Sequence, residues 1–376
     1  MSPELKDETA AEPSSENVDA YASHRQLVWR RFRRHRLAMI GATILLTFYL
    51  AALLCEFVAP YTPNARHTDR VFAPPQTPRF IDQGGRFHWR PFVYAIGVED
   101  RAAATSREYQ VDHSIRYPLQ LFVRGDAYRM WGLFNTDLHL FGAEDGYVHL
   151  LGTDSLGRDL FSRILYGARI SLTIGLVGVL LTFVIGIVLG GVAGYFGGIV
   201  DNVVQRMVEL LICIPQLPLW MVLSAAIPLY WPPVAVYFGI TVILSFIGWT
   251  GLAREVRGKF LSLRDEDFVV CARLCGTSEM TIIRRHLLPS FMSHIIARAT
   301  LAIPAMILGE TALSFLGIGL RPPAVSWGVL LQDAQSFDAM ALFPWLLAPA
   351  VCVVIVVLAF NMLGDGLRDA ADPHAS

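Results

Sequence analysis

Apolar stretches recur along the chain at 37–59, 170–194, 208–229, 234–253, 291–316 and 343–364, each about 20 residues or longer with few charges. At ~1.5 Å of rise per residue, each reaches ~30 Å as a helix, the thickness of a bilayer's hydrocarbon core. The pattern predicts an all-α membrane protein with six transmembrane helices. In the second stretch Gly186, Gly190, Gly194 and Gly198 recur at every fourth residue. A ridge without side chains lets another helix come close, which matters because lipid gives helices no hydrophobic reason to associate. Pro215 and Pro218 interrupt the third stretch and Pro304 the fifth, and the carbonyls they free need partners on neighbouring helices.

Three polar segments break the apolar pattern. Residues 1–24 are acidic and rich in Ser, Ala and Glu, a composition that favours disorder. Residues 61–150 alternate short apolar and polar runs around turn signals. Gly84-Gly85 and Asp145-Gly146 suit hairpins, so a small β-rich insertion is expected between the first two helices. Its many aromatic residues fit either an ordinary core or a docking surface.

The third segment, 254–290, reads as an ordered helix–glycine–helix unit. Ser262 and Asp265 form a capping-box pattern that would start a helix. Phe268, Cys271, Ala272 and Cys275 then share a face at helical spacing. Gly276 can take the left-handed conformation that ends such a helix. Thr277 or Ser278 can cap a second helix carrying Met280, Ile283 and Leu287, which Pro289 would close. The apolar face of the unit needs a partner: lipid, its own bundle or another protein.

Charge gives the expected orientation. Arg25, Arg30, Arg31, Arg33, Arg34 and Arg36 precede the first span and place that end in the cytoplasm. Six spans put both termini there. The uncharged link at 228–233 falls outside and the 254–290 loop, with seven Arg and Lys, inside. The first apolar block, at 23 residues, exceeds the ~7–15 of a cleaved signal peptide and reads as an uncleaved anchor. The chain is 54% hydrophobic and 17% charged, below the ~25% charge of soluble domains.

Candidate chemistry is sparse. No G-x-x-x-x-G-K-[ST] loop occurs, so the chain has no Walker cradle for ATP. Cys271 and Cys275 lie at i,i+4 with no third ligand at metal spacing, and the 61–168 segment has no cysteine for a disulfide. His67, His88, His113, His139 and His149 are scattered without ligand spacing. Glu310 is a charge deep in the fifth span, where facing lipid would cost about 3 kcal/mol. It is therefore expected inside the bundle or against a partner subunit, as a structural hydrogen bond or a cargo contact. His294 and Arg298 would meet headgroups or the loop. Arg158-Asp159 would form a capped turn at the outer surface, with docking of another protein as a second reading.

The segment from Cys271-Ala272 through Gly276 to His286-Leu287-Leu288-Pro289 resembles the EAA loop in permease subunits of binding-protein-dependent ABC importers. "LLGTDSLGRDLFSRILYGARISL" (150–172), "GYFGGIVDNVVQRMVELL" (194–211), "ETALSFLGIGLRPPAVSWGVLL" (310–331) and "LGDGLRDAADP" (363–373) resemble the C-type permease of dipeptide and oligopeptide importers. The resemblance spans roughly 30–373. It implies that Asp267, Phe268, Cys271, Ala272, Arg273, Gly276, His286 and Pro289 belong to a coupling loop seated on a separate ATPase. The family's glutamate is Val270 here and its first alanine is Cys271, so salt bridges to the ATPase would rest on Asp267, Arg273 or Glu266. The implied partners are a second permease, two ATP-binding subunits and a periplasmic solute-binding protein, within a bacterial inner membrane and without nucleic acid. The chain itself would bind no cofactor, with ATP and Mg on the ATPase subunits.

The resulting division is a tail (1–24), a basic segment with the first span (25–60), a periplasmic module (61–150) and a permease core (151–373). A self-powered secondary transporter is the alternative. It predicts several paired intramembrane acids and an inverted repeat, and only Glu310 is deep. A membrane enzyme would need a convergent set of acids, bases or metal ligands.

Overall fold

A computed structural model describes residues 24–99 and 108–371. The expected tail, 1–24, lies outside them except for His24, which opens helix α1 (His24–Arg34). Among the described residues, five helices are long and apolar enough to cross a membrane: α2 (Arg36–Leu53), α4 (Leu160–Phe196), α7 (Pro233–Leu263), α11 (Met292–Phe315) and α14 (Ala348–Ala371, reached through a short helix α13, Phe337–Leu342, and a 3-10 turn at Pro344–Leu347). Between α1 and α2, His35 accepts a hydrogen bond from the Ala38 amide, so the chain turns at the end of the basic segment.

The third expected span is not one continuous helix over 208–229. It is a pair, α5 (Gly198–Cys213) and α6 (Gln216–Ala225), bent by 89°. The bend falls at Ile214-Pro215, where both residues have extended ψ values. Proline disfavours the helical conformation in the residue before it and has no N–H to continue the ladder. By contrast Pro304 stays inside an unbroken α11.

The glycine ridge packs as its spacing predicts. A Cβ on Gly186 would meet the Leu252 side chain, one on Gly190 the Ala253 backbone, and one on Gly194 Arg257 and Phe260. These glycines therefore let the last third of α4 lie against the C-terminal half of α7. Gly198 is not part of this ridge: it has φ +59° at the start of α5, with no atom where a Cβ would project. Trp327, wholly buried at the start of α12 (Trp327–Gln332), donates from Nε1 to the Ile164 carbonyl and ties the far end of the bundle to α4.

Among the described residues between α2 and α4 lie a short helix α3 (Cys55–Val58) and five strands. Strands β1 (Arg79–Ile81), β2 (Phe87–Glu99) and β3 (Glu108–Pro118) form one antiparallel sheet; β4 (Gln120–Met130) and β5 (Phe134–Gly142) form a second. The Gly84-Gly85 hairpin is present, with Gly85 at φ +76°. Asp145-Gly146 joins no strands: it turns the chain after β5, and the second hairpin closes instead at Trp131-Gly132. No turn dipeptide flags that closure, because Trp131 itself holds a left-handed conformation at φ +51°.

The edge at 150/151 cuts through a shared network. Gln76 exchanges hydrogen bonds with His149, the Ala73 amide donates to Thr153, and the His67 amide donates to the Gly157 carbonyl. The 61–76 segment is thus strapped onto the turn that precedes α4.

Candidate functional site

The 254–290 segment is ordered, but its elements differ in register from the sequence expectation. Helix α7 continues to Leu263, so Ser262 lies in its last turn and donates to the Lys259 carbonyl instead of capping a new helix. The next helix, α8 (Asp267–Leu274), begins after Glu266. Its end follows the expected chemistry. Gly276 has φ +75°, its amide donates to Arg273, and the Thr277 amide reaches back to Ala272. That pair of bonds is the Schellman arrangement, which satisfies carbonyls the helix end would leave open.

The expected apolar face of α8 looks outward. Phe268, Cys271 and Cys275 are exposed and Ala272 is half-buried, whereas Val269 is fully buried in the bundle. Periodicity says which residues share a face; it does not say what that face meets. Val270, Leu274 and Met280 are exposed too, Leu274 at 82%. Arg273 is drawn back, its guanidinium over the Tyr195 ring and donating to the Tyr195 hydroxyl at 3.2 Å. All three charged residues expected to face outward, Glu266, Asp267 and Arg273, are exposed, Arg273 despite its contact with Tyr195.

The second helix is short: α9 (Glu279–Ile282), followed by a π turn at Ile283–Leu287 and α10 (Leu288–Ser290). Ser278 sits at its N-cap without a side-chain bond to the backbone. The wider π turn sets Ile282 and Leu287, five residues apart, on one inward face. They are buried, whereas Met280 is exposed and Ile283 half-buried. Pro289 does not end the unit. It stands in the first turn of α10, where no N–H is needed, and the break comes at Phe291.

Two ion pairs brace the base of this unit. Arg257 on α7 holds Asp201 on α5, with one bond of 2.6 Å from Nη2. Arg298 reaches Glu255 at 3.1 Å and His294 lies at 3.8 Å from it, so both residues meet the loop's helical base.

Glu310 is fully buried within this chain. It accepts from Ser314 at 2.8 Å, Ser326 at 2.7 Å and Ser171 at 3.1 Å. Each serine also accepts a backbone amide: Leu320 on Ser314, Val329 on Ser326 and Trp327 on Ser171. The carboxylate thus joins α4, α11 and the start of α12 through donors that are themselves held. Contact with a cargo molecule would require this enclosure to open.

At the start of α4, Asp159 is the N-cap, accepting from the Ser162 amide and hydroxyl at 2.7 Å each and paired with His149 at 3.0 Å. Asp154 takes Arg158 at 2.7 Å and also Arg163. The capped turn expected at Arg158-Asp159 is there, and it is buried. The histidines are less scattered than in sequence: His67 and His149 rings lie 5.2 Å apart beside Tyr61 and Tyr147. Burial, with His149 nearby, holds the His67 imidazole below its ordinary value. His139 lies between the Ala59 and Asp126 carbonyls, while His88 pairs with Asp82. Among the described residues, no cluster of three or more His, Cys, Asp or Glu side chains is gathered for a metal.

Sequence reasoning missed Arg169. It holds Glu56 through both guanidinium ends and donates to the Ala52 and Leu53 carbonyls, closing the end of α2. Its position as the last charge before a long apolar run was the available signal.

A family profile for the inner membrane component of binding-protein-dependent transport systems matches residues 186–376. A second, for the N-terminal transmembrane domain of oligopeptide transport permease C, matches 23–75. The dipeptide transport system permease protein DppC of Bacillus subtilis (strain 168) is 32% identical over 351 residues, covering 93% of this chain and 86% of that protein. The oligopeptide transport system permease proteins OppC of Haemophilus influenzae and Salmonella typhimurium are each 39% identical, over 243 and 248 residues. Both alignments cover 64% of this chain, and 75% and 78% of those proteins respectively.

Proposed function

The chain belongs to the inner-membrane permease components of binding-protein-dependent transport systems, in the dipeptide and oligopeptide permease group, and from that premise we propose that it is one of two permeases lining the path of a peptide importer. The observation that carries this reading is the helix–glycine–helix unit at 264–290. It is tightly ordered by its own backbone bonds and rooted in the bundle by Val269, Ile282 and Leu287. Yet it turns Phe268, Val270, Leu274 and Met280 outward. An apolar face held in place and left uncovered by its own chain suits a rigid element for another protein to push.

In this reading the loop and both termini lie in the cytoplasm and the strands lie in the periplasm. Two ATPase subunits carry ATP and Mg, and closure of that pair moves α8. The α5–α7 ion pair and the Val269 contact pass the movement into the bundle. A second permease completes the path and a periplasmic solute-binding protein delivers the cargo. On the ATPase side the contacts fall to Phe268, Cys271, Leu274, Glu266 and Asp267, with half-buried His286 and exposed Pro289 at the far end of the unit. The test is purification of the tagged chain in gentle detergent, with mass spectrometry of what accompanies it. The expected result is two ATPase copies and a second permease. A chain that emerges alone or only with itself would overturn the reading and favour the self-powered transporter.

A further inference from the structure

The β4–β5 hairpin has a tip whose placement the transport reading does not use. Its turn presents Trp131 (48% exposed), Leu133 (75%) and Phe134 (63%). Such a row of large apolar groups, two on the three-residue turn and one opening β5, is unusual for a loop facing water. Trp131 holds a left-handed backbone conformation, uncommon for an aromatic residue, and so is fixed rather than merely tolerated there.

What fixes it also reports its depth. Trp131 Nε1 donates to the Leu53 carbonyl at 2.8 Å, at the last residue of the first membrane-spanning helix. Arg169 Nη2 donates to that same carbonyl at 3.1 Å. Arg169 is the last charged residue on α4 before the apolar run that begins at Ile170. Two independent helices therefore mark one level, the edge of the hydrocarbon layer, and the indole lies on it. Leu133 and Phe134 follow within about 10 Å of chain, at ~3.3 Å per residue.

The hairpin's other end lies farther from the membrane. His139 meets the Ala59 carbonyl, six residues beyond Leu53. Phe141 packs on Phe161, eight residues and so ~12 Å of helix rise before Arg169. The tip is thus the membrane-proximal end. It continues the apolar surface of α2, the least buried of the long helices, where Leu46, Leu50 and Leu53 are exposed. Tryptophan at the carbonyl level with aliphatic and aromatic neighbours is the composition that the bilayer interface favours.

We propose that the β4–β5 tip, through Trp131, Leu133 and Phe134, inserts into the interfacial layer of the adjacent lipid leaflet and anchors the strand module to the bilayer surface. The occupant of this surface is phospholipid. A protein partner would need no match in depth between Trp131 and Arg169, whereas a lipid surface requires it. The inference needs only that α2 and α4 span a membrane, and it stands whether or not the 264–290 unit couples to an ATPase.

The test places the photo-crosslinker p-benzoylphenylalanine at Leu133, at Phe134 or at Leu121 of the full chain in bacterial membranes. Leu121 is 71% exposed and pairs with Phe141 at the far end of the same hairpin. After illumination, adducts are identified by mass spectrometry of the purified protein. Phospholipid adducts at Leu133 and Phe134 at least tenfold above those at Leu121 are expected. Equal lipid yields at both ends, mainly protein adducts at the tip, or no lipid adduct there would each overturn the proposal. Because the crosslinker is a phenylalanine derivative at an exposed site, Phe134 keeps the test valid if Leu133 proves disruptive.

Discussion

Replacing Gly190 with alanine should loosen the central helix pair, although alanine is the better helix former. A Cβ at Gly190 would lie 2.4 Å from the Ala253 carbonyl oxygen and 2.8 Å from its Cα, both backbone atoms of α7. A backbone cannot rotate aside as a side chain does. The helices must therefore separate until the 2.4 Å contact passes 3.0 Å, below which real Cβ atoms are essentially never found. Such a shift spreads to the flanking contacts of Gly186 with Leu252 and of Gly194 with Phe260. A gap of 0.5–1 Å already forfeits about a quarter to a half of a van der Waals well. Overpacking of this kind costs about 1–3 kcal/mol.

The matched control is Gly251→Ala on α7, where nothing lies within 4 Å of the added carbon. It gains up to about 1 kcal/mol from helix propensity alone. Gly190→Ala gains the same propensity, so the two variants should differ by the overpacking cost, about 1–3 kcal/mol, with Gly190→Ala the weaker. The assay is equilibrium unfolding of the purified chain in mixed micelles, titrating sodium dodecyl sulfate into dodecyl maltoside and following helix content by circular dichroism. If Gly190→Ala matches Gly251→Ala or exceeds it in stability, the close-approach argument for the ridge is wrong.

Other perturbations test separate parts of the structure. Glu310→Ala strips the partner from three buried serines and should cost about 3 kcal/mol or more, at ~1–3 kcal/mol for each buried hydroxyl left unpaired. Glu310→Gln retains an accepting oxygen for Ser314 and Ser326 and should cost less than half as much; equal losses in the same titration would show that the charge, not the bonding, matters. Gly276→Val forces a β-branched residue into φ +75°, at a cost of about 1–2 kcal/mol or more. Peptide uptake should be lost while membrane insertion persists, and Gly276→Asn should retain part of it; normal uptake by the valine variant would refute the coupling role. The Arg86 amide donates to Asp82 and His88 pairs with it, and together they hold its carboxyl down at about 2 from 3.8; Arg116 lies 3.0 Å away. A depressed acid stabilises the fold above its unfolded value and loses that contribution as pH falls through the folded one. Hydrogen exchange of the 79–92 segment, corrected for intrinsic rate, should therefore rise between pH 4 and 2. Asp82→Asn should flatten that rise, and an unchanged profile would remove Asp82 as its source.

The sequence by itself determined what depends on composition and local spacing. Long apolar runs have one stable form in lipid, because every backbone group must be bonded internally, so α2, α4, α7, α11 and α14 were legible. So were the four-residue ridge through Gly194 and the glycine stop at Gly276, since each follows from the local geometry of one helix. The motifs around 150–172, 264–290 and 310–331 also carried the family, which the profile matches and relatives bear out.

Tertiary structure decided whatever depends on what a face meets. Helical spacing grouped Phe268 with Cys271 and Cys275, but only packing turned Val269 inward and left the others uncovered. A π turn, invisible in periodicity, moved the inward set to Ile282 and Leu287. Pro215 and Pro304 look alike in sequence, yet one sits at an 89° bend and the other lies in an unbroken helix. The roles of Glu310 and Arg169 rest on partners more than a hundred residues away, Ser171 for one and Glu56 for the other. Distances of that kind are set by how helices stack, and no local pattern encodes them.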